Sequence, residues 1–264
     1  NIIIKNAESS TGLTAATKNG YEAEAKFFRA YAYNTLATLF GKVPLVTEPI
    51  TSPKTDFTRA SLDSVNTLII QDLTFAASNL TAPGAFGSKL NANGKPAARV
   101  NKYVAMQLLA EVYIRAGKSD LAEQQTQAII NSGAFALTTA RFGIRASQPG
   151  DAFCDMFIYG NERRGQGNKE VMWVLEEENP NAVPGGLTGA PQQRRNWGAA
   201  YYQINSPDGK PEVIVDSLGG RGIARMRLTN WVVYELYEAN DMRNSQYSIR
   251  RKYYFPNPAS TSYG

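Results

Sequence analysis

The sequence predicts a mainly α-helical protein. Stacked helical hairpins should come first, followed by an irregular, loop-rich C-terminal region. Three observations carry this expectation. Apolar residues recur every three or four positions through the first half of the chain. Short breaks containing Gly or Pro separate these periodic stretches. Beyond about Phe135, Gly and Pro become frequent and the helical period mostly fades.

The first strong helix covers Tyr21–Phe40, within EAEAKFFRAYAYNTLATLFGKVPLV. One apolar row is Tyr21, Ala25, Phe28, Ala32, Leu36 and Leu39; a second is Ala23, Phe27, Ala30, Tyr33, Ala37 and Phe40. A helix apolar on two sides is expected to be packed on two sides. Gly41 can take a left-handed C-terminal position, and Pro44 prevents continuation. After a connector at Thr51–Arg59, the stretch SLDSVNTLIIQDLTFAASNL aligns Leu62, Val65, Ile69, Leu73, Ala76 and Leu80 on one face. Ser61 is its expected N-cap, with Asp63 in the first turn.

A loop from Pro83 to Pro96 carries the turn signal Asn93-Gly94. A third helix is expected over about Val100–Ala116 and a fourth over about Ser119–Asn131, with Gly117 between them. So short a connection makes these two helices antiparallel neighbours. Leu109-Ala110-x-x-Tyr113, followed nine residues later by Ala122, matches tetratricopeptide spacing, and Arg29-Ala30-x-x-Tyr33 is a weaker echo. The hairpins are therefore expected to be tetratricopeptide-like. Further on, EVMWVL (Glu170–Leu175) reads as a buried strand or turn with Trp173 inside. One helix is expected to return near Thr229–Ala239, and IRRKYYFPNP lies near the end of the chain.

Composition narrows the chemistry. The chain of 264 residues has a 43% hydrophobic fraction, which suits a globular fold. Its net charge of +5 is scattered, whereas a nucleic-acid surface needs a denser basic patch, so no nucleic-acid partner is expected. Histidine is absent, which removes Ser-His-Asp and Cys-His nucleophile pairs and histidine-bearing metal sites. The single Cys154, in DAFCDMF, cannot form an internal disulfide and reads as a small buried apolar residue. No cofactor or metal site is expected. No apolar stretch reaches the length of a membrane span. The opening NIIIKNAESS, with no initiator Met, and the polar end PNPASTSYG read as cut ends of a longer protein.

Five blocks in order resemble the SusD/RagB family of surface nutrient-binding lipoproteins. EAKFFRAYAYNTLATLFGKVPLV is similar to the family's E-A-x-F-x-R-A-x-x-Y and L-F-G-x-V-P-L segment. Arg59–Leu80 resembles its I-x-x-D-L-x-x-A block, and Arg99–Leu137 the block with L-L-A-x-V-Y and S-G-x-x-x-L. Asn168–Leu175 resembles a short N-x-E-x-I strand, and Tyr237–Ser245 the late D-P-R element. Met242 replaces the Pro of D-P-R, and Leu228 stands where a Pro often precedes the helix.

The resemblance implies one partial SusD-like domain over 1–264, with a helical scaffold at 1–135 and a loop-rich, ligand-facing region at 136–264. It also implies a non-enzymatic role in capturing oligosaccharides, or in some members peptides. The partner it implies is a SusC-like TonB-dependent transporter at the outer membrane of a Gram-negative bacterium. Membrane attachment would come only through an N-terminal lipid anchor that this chain lacks.

Sugar binding needs flat aromatic faces beside planar polar side chains. RRNWGAAYYQIN offers Arg194, Arg195, Asn196, Trp197, Tyr201, Tyr202 and Gln203, flanked by glycines. The competing reading is that Trp197 and the tyrosines pin a long loop to the helical body. Trp231, Tyr234 and Tyr237, three apart on one helix, read as core, and Tyr253, Tyr254 and Phe255 are open to either role. Glu176, Glu177 and Glu178 read as a solvated turn, because neighbouring positions on a strand face opposite ways. Asp151 and Asp155 would share a helical face and leave a carboxylate-pair glycoside hydrolase formally open. A purely structural tetratricopeptide-type adaptor that binds protein is a further alternative. GQGNKE lacks the third glycine of a dinucleotide loop.

Overall fold

The computed structural model describes residues 1–85, 87–94, 98–174, 196–198, 200–211, 222–223, 225–249, 251–252 and 257–261. Its main helices are α1 (Ile2–Ser9), α2 (Ala15–Phe40), α3 (Leu62–Asn79), α4 (Lys102–Arg115) and α5 (Ser119–Asn131). Two short helices follow, α6 (Ala152–Asp155) and α7 (Asn230–Tyr234). Among the described residues there is no strand, only an isolated antiparallel bridge between Asn205 and Pro211. The chain divides into two compact units. One comprises Asn1–Ile144 with Ile158–Val174, the other Arg145–Phe157 with Leu175–Gly264.

In the first unit each helix packs on its successor: α1 on α2, α2 on α3, α3 on α4 and α4 on α5. This nearest-neighbour pattern is that of a helical repeat array. Three of the helices, α2, α3 and α4, start where side chains satisfy their free N–H groups. Thr14 accepts from Thr17 N at the start of α2, and Ser61 from Ser64 N at the start of α3. Asn101 Oδ1 accepts from Tyr103 N and Val104 N at the start of α4. Between α4 and α5 the chain reverses at Gly117, whose φ of +70° suits glycine.

The core forms where the predicted faces meet. Phe27 from α2, Val65, Ile69 and Leu73 from α3, and Leu109 and Val112 from α4 are almost fully buried. Alanines 23, 30, 76, 105 and 110 are buried among them and let the helices approach closely. Two polar clasps cross this core. The Arg29 guanidinium donates to both Asp72 oxygens, at 2.7 and 2.8 Å. Arg115, at the end of α4, donates to Asn34 and Thr38 on α2 and to Asn66 on α3.

α2 ends as GKVP predicts, in a different conformation. Gly41 has φ +67° and ψ −105°, a glycine-favoured backbone but not the left-handed helical cap. The chain then folds back, because Val46 N donates to the Tyr33 hydroxyl at 2.6 Å and Ala60 N to Val43 O at 3.0 Å.

Two-sided packing of α2 is not observed. The row from Ala23 to Ala37 is buried, whereas Tyr21, Phe28, Leu36, Leu39 and Phe40 are exposed. Its principal helical neighbours are α1 and α3, and the Ala23–Ala37 row is the one that joins the core cluster shared with α3.

Residues Glu170–Val174 form no strand. They are held to the array by side chains instead. Asn101 Nδ2 donates to Met172 O at 3.0 Å, and Trp173 Nε1 donates to Ala98 O at 3.0 Å. Trp173 is half-buried, with its ring edge-on to Phe27 and Tyr31.

Candidate functional site

The predicted site segment lies in the second unit, in RRNWGAAYYQIN. Asn196 and Trp197 have helical backbone, and Tyr201–Gln203 form a single 3₁₀ turn. Trp197 is 52% exposed. Tyr202 is half-buried, and its hydroxyl accepts from Gln203 Nε2 at 3.1 Å, with Gln203 exposed. Asn196 anchors the segment: its carbonyl accepts from Met226 N at 3.0 Å. Its side-chain Oδ1 is enclosed without a hydrogen-bond donor among the described residues. Arg194 and Arg195 lie outside the described residues, and of Tyr201 only the backbone is described.

The segment is held by partners that sequence reading did not single out. Gly222 lies against the backbone of Gly198, so close that a Cβ there would collide with the Gly198 carbonyl. The signal was present as the cluster Gly219-Gly220-Arg221-Gly222, but spacing alone gave no partner for it. Met226, the other anchor, uses its backbone and therefore leaves no mark in residue type.

Of the aromatic stripe read as core, Trp231 and Tyr234 are exposed and Tyr237 is half-buried. α7 ends at Tyr234 instead of continuing to Ala239, and Trp231 and Tyr234 are 54% and 64% exposed. The helix stops because Glu235 N and Leu236 N both turn back to Trp231 O. Thr229 caps it as expected, accepting from Val232 N. Arg251 donates to Val233 O and to the Asn244 carbonyl. Nearby, Asp241 accepts from Arg243 N at 2.8 Å and pairs with the Arg243 guanidinium, which lies 4.6 Å from the Tyr237 ring centre. These bonds, led by the Arg243 side chain, hold the Asp241 carboxyl below its usual range.

The acidic pair has structural roles. Asp151 caps α6 by accepting from Cys154 N at 2.6 Å, and it also accepts from the Ser245 hydroxyl. Asp155 is fully buried, so the two do not form an open carboxylate pair. Cys154 is only half-buried and bonds to the Asp151 backbone. Glu176–Glu178 and Tyr253–Phe255 lie outside the described residues. Among the described residues no three His, Cys, Asp or Glu side chains gather as metal ligands. No described helix is long and apolar enough to cross a membrane.

The described residues thus define a class: an array of packed helices in one unit, and in the other a loop-rich segment with exposed aromatic side chains. Residues 1–114 match the SusD-like_3 family, described as "Starch-binding associating with outer membrane". The match covers 114 of the 264 residues and is a likeness of the N-terminal part of the chain to that family. The fold agrees with solved SusD-like structures. The surface glycan-binding protein A from Bacteroides fluxus is 20% identical with a TM-score of 0.62, the match covering 91% of this chain and 45% of that one. A SusD-like protein from Bacteroides fragilis NCTC 9343 is 16% identical with a TM-score of 0.55, covering 76% and 34%. A SusD-like carbohydrate-binding protein from the same strain is 19% identical with a TM-score of 0.53, covering 81% and 40%. The chain thus spans less than half the length of each of these structures. No curated protein matches it.

Proposed function

We propose that this protein is a non-catalytic glycan-binding protein of the outer-membrane surface. It captures oligosaccharide nutrients in an open cleft and passes them to a SusC-like TonB-dependent transporter. A lipid anchor would hold it at the cell surface.

The observation that carries the reading is the half-exposed ring of Trp197, on a segment anchored from both Gly222 and Met226. Sugar C–H groups rest on the electron-rich face of such a ring. Gln203 and Tyr202 stand within the same segment to meet hydroxyls, with Arg194 and Arg195 immediately before it. The description of the matching family as starch-binding and associated with the outer membrane supports both ligand class and location. Capture with later release requires modest affinity, and stacking on an exposed aromatic ring supplies that.

The test is affinity electrophoresis of the purified protein through gels containing soluble starch and a panel of other polysaccharides. At least one glycan should retard the native protein, and Trp197→Ala should remove most of that retardation, a loss of roughly tenfold in affinity or more. Retardation by none of the glycans, or retardation indifferent to Trp197→Ala, would overturn the assignment.

A further inference from the structure

The first unit contains a pocket of about 220 Å³ far along the chain from the Trp197 segment. Three separate stretches build it: the early turns of α2, the end of α3 with the loop after it, and the residues just before α4. Its wall carries an ion pair, Arg99 Nε to Glu24 Oε1 at 2.6 Å and Arg99 Nη2 to Glu24 Oε2 at 2.5 Å. Carboxamides are fixed around it. Asn79 Nδ2 donates to Phe75 O at 2.9 Å, while its Oδ1 accepts from Asn19 at 3.1 Å. Asn93 Nδ2 donates to Thr81 Oγ1 at 2.6 Å. Tyr21 lines the pocket with a ring that is 46% exposed.

Gly20 supplies an independent sign. It lines the pocket in the interior of α2, and a Cβ built there meets no atom within 4 Å. Its φ is not in the left-handed region, so neither crowding nor backbone strain calls for glycine. Glycine weakens a helix relative to alanine. What the missing side chain does provide is access: a ligand can reach the α2 backbone beside Tyr21.

We infer that this pocket is a second binding site, taking a single neutral sugar ring. The charge pattern points to a neutral occupant, because Glu24 and Arg99 balance one another. A bidentate arginine occupies two of the roughly four acceptor positions of a carboxylate, which leaves Glu24 able to accept from hydroxyls. The fixed carboxamides and the Tyr21 ring give the mixed polar and flat surface a pyranose needs. The volume corresponds to about seven waters at ~30 Å³ each. It falls below the ~300–1,000 Å³ of pockets for larger ligands, a size that suits one ring. The site shares no residue with the 194–203 segment and does not depend on the function proposed for it.

The test is a ¹H–¹⁵N NMR titration of the purified protein with D-glucose, D-mannose and D-xylose, each at increasing concentration. At least one sugar should produce saturable shifts at Tyr21, Asn93 and the Asn79 and Arg99 side chains. Gly20→Leu should fill the cavity and abolish those shifts while the melting temperature stays equal or rises. Tyr21→Ala should weaken the binding at least fivefold, and Trp197→Ala should leave it unchanged. The inference is overturned if no sugar gives saturable shifts there, if the shifts survive in folded Gly20→Leu, or if Trp197→Ala removes them. A Gly20→Leu protein that fails to fold transfers the decision to Tyr21→Ala, where unchanged affinity counts against the site.

Discussion

Arg29 and Asp72 show what one buried pair does in this array. Both are largely enclosed, and the two-pronged bond ties α2 to α3 beside the Phe27–Leu73 core. The hydrogen bonds that it donates to Asp72 raise the guanidinium further above its ordinary value, so Arg29 stays charged at any working pH. Removing one partner strands a buried charge, which is far worse than removing both. Asp72→Asn or Arg29→Met should therefore cost about 3–5 kcal/mol in urea unfolding. The double replacement by apolar residues should recover much of the loss, and simple additivity of the two would contradict the clasp. Asp241 gives a pH-dependent counterpart on an exposed turn. Its folded pKa is depressed, so what the Arg243 clamp contributes is complete above the unfolded value of ~3.9 and is lost as pH falls through the lower folded value. The ring resonances of Tyr237, under the Arg243 guanidinium, should titrate with a midpoint below that value. A midpoint at or above it would mean that the pair is not formed.

At the scale of elements, Asn101 does two jobs. It caps α4 through Tyr103 N and Val104 N, and its Nδ2 holds Met172 O. Asn101→Ala should cost about 1–2 kcal/mol for the cap alone. It should also loosen the segment carrying Trp173, so tryptophan emission should shift to the red in the native state; an unchanged spectrum would show that Trp173 is held by its other contacts. The cap of α3 at Ser61 and its buried face from Val65 to Leu80 were legible in the sequence, because a cap residue and a helical period are local signals. The start of α2 at Ala15 was less legible, since TAATKNG carries little apolar periodicity and is fixed by the Thr14 cap. Two misreadings share one cause. The exposed row of α2 and the exposed stripe of α7 have the spacing of core residues, but spacing identifies a face without saying what covers it. The Gly198–Gly222 approach was illegible for a related reason, as contacts between distant backbones leave no periodic trace. It yields its own expectation: Gly222→Ala should push the Trp197 segment away and weaken glycan retention as Trp197→Ala does, while leaving the stability of the helical unit unaltered in urea unfolding.

For the whole molecule, the distribution of charge separates the possible ligand classes. The net charge is +5, and its acidic and basic residues are interspersed along the chain. Part of this charge is consumed internally, with Arg29, Arg99 and Arg243 all paired to carboxylates. A neutral glycan held by ring stacking and hydroxyl hydrogen bonds offers nothing for salt to screen. An acidic sugar or acidic peptide drawn by the basic excess would depend on it, because at about 1 M salt the Debye length shrinks to ~3 Å. Isothermal titration with a glycan that retards the protein should therefore give affinities within about twofold across that range, since screening acts on separated charges and not on stacked rings. A steep fall in affinity with salt would move the recognition from the Trp197 face to its basic neighbours Arg194 and Arg195. That outcome would assign the protein to acidic ligands while leaving the helical scaffold as it stands.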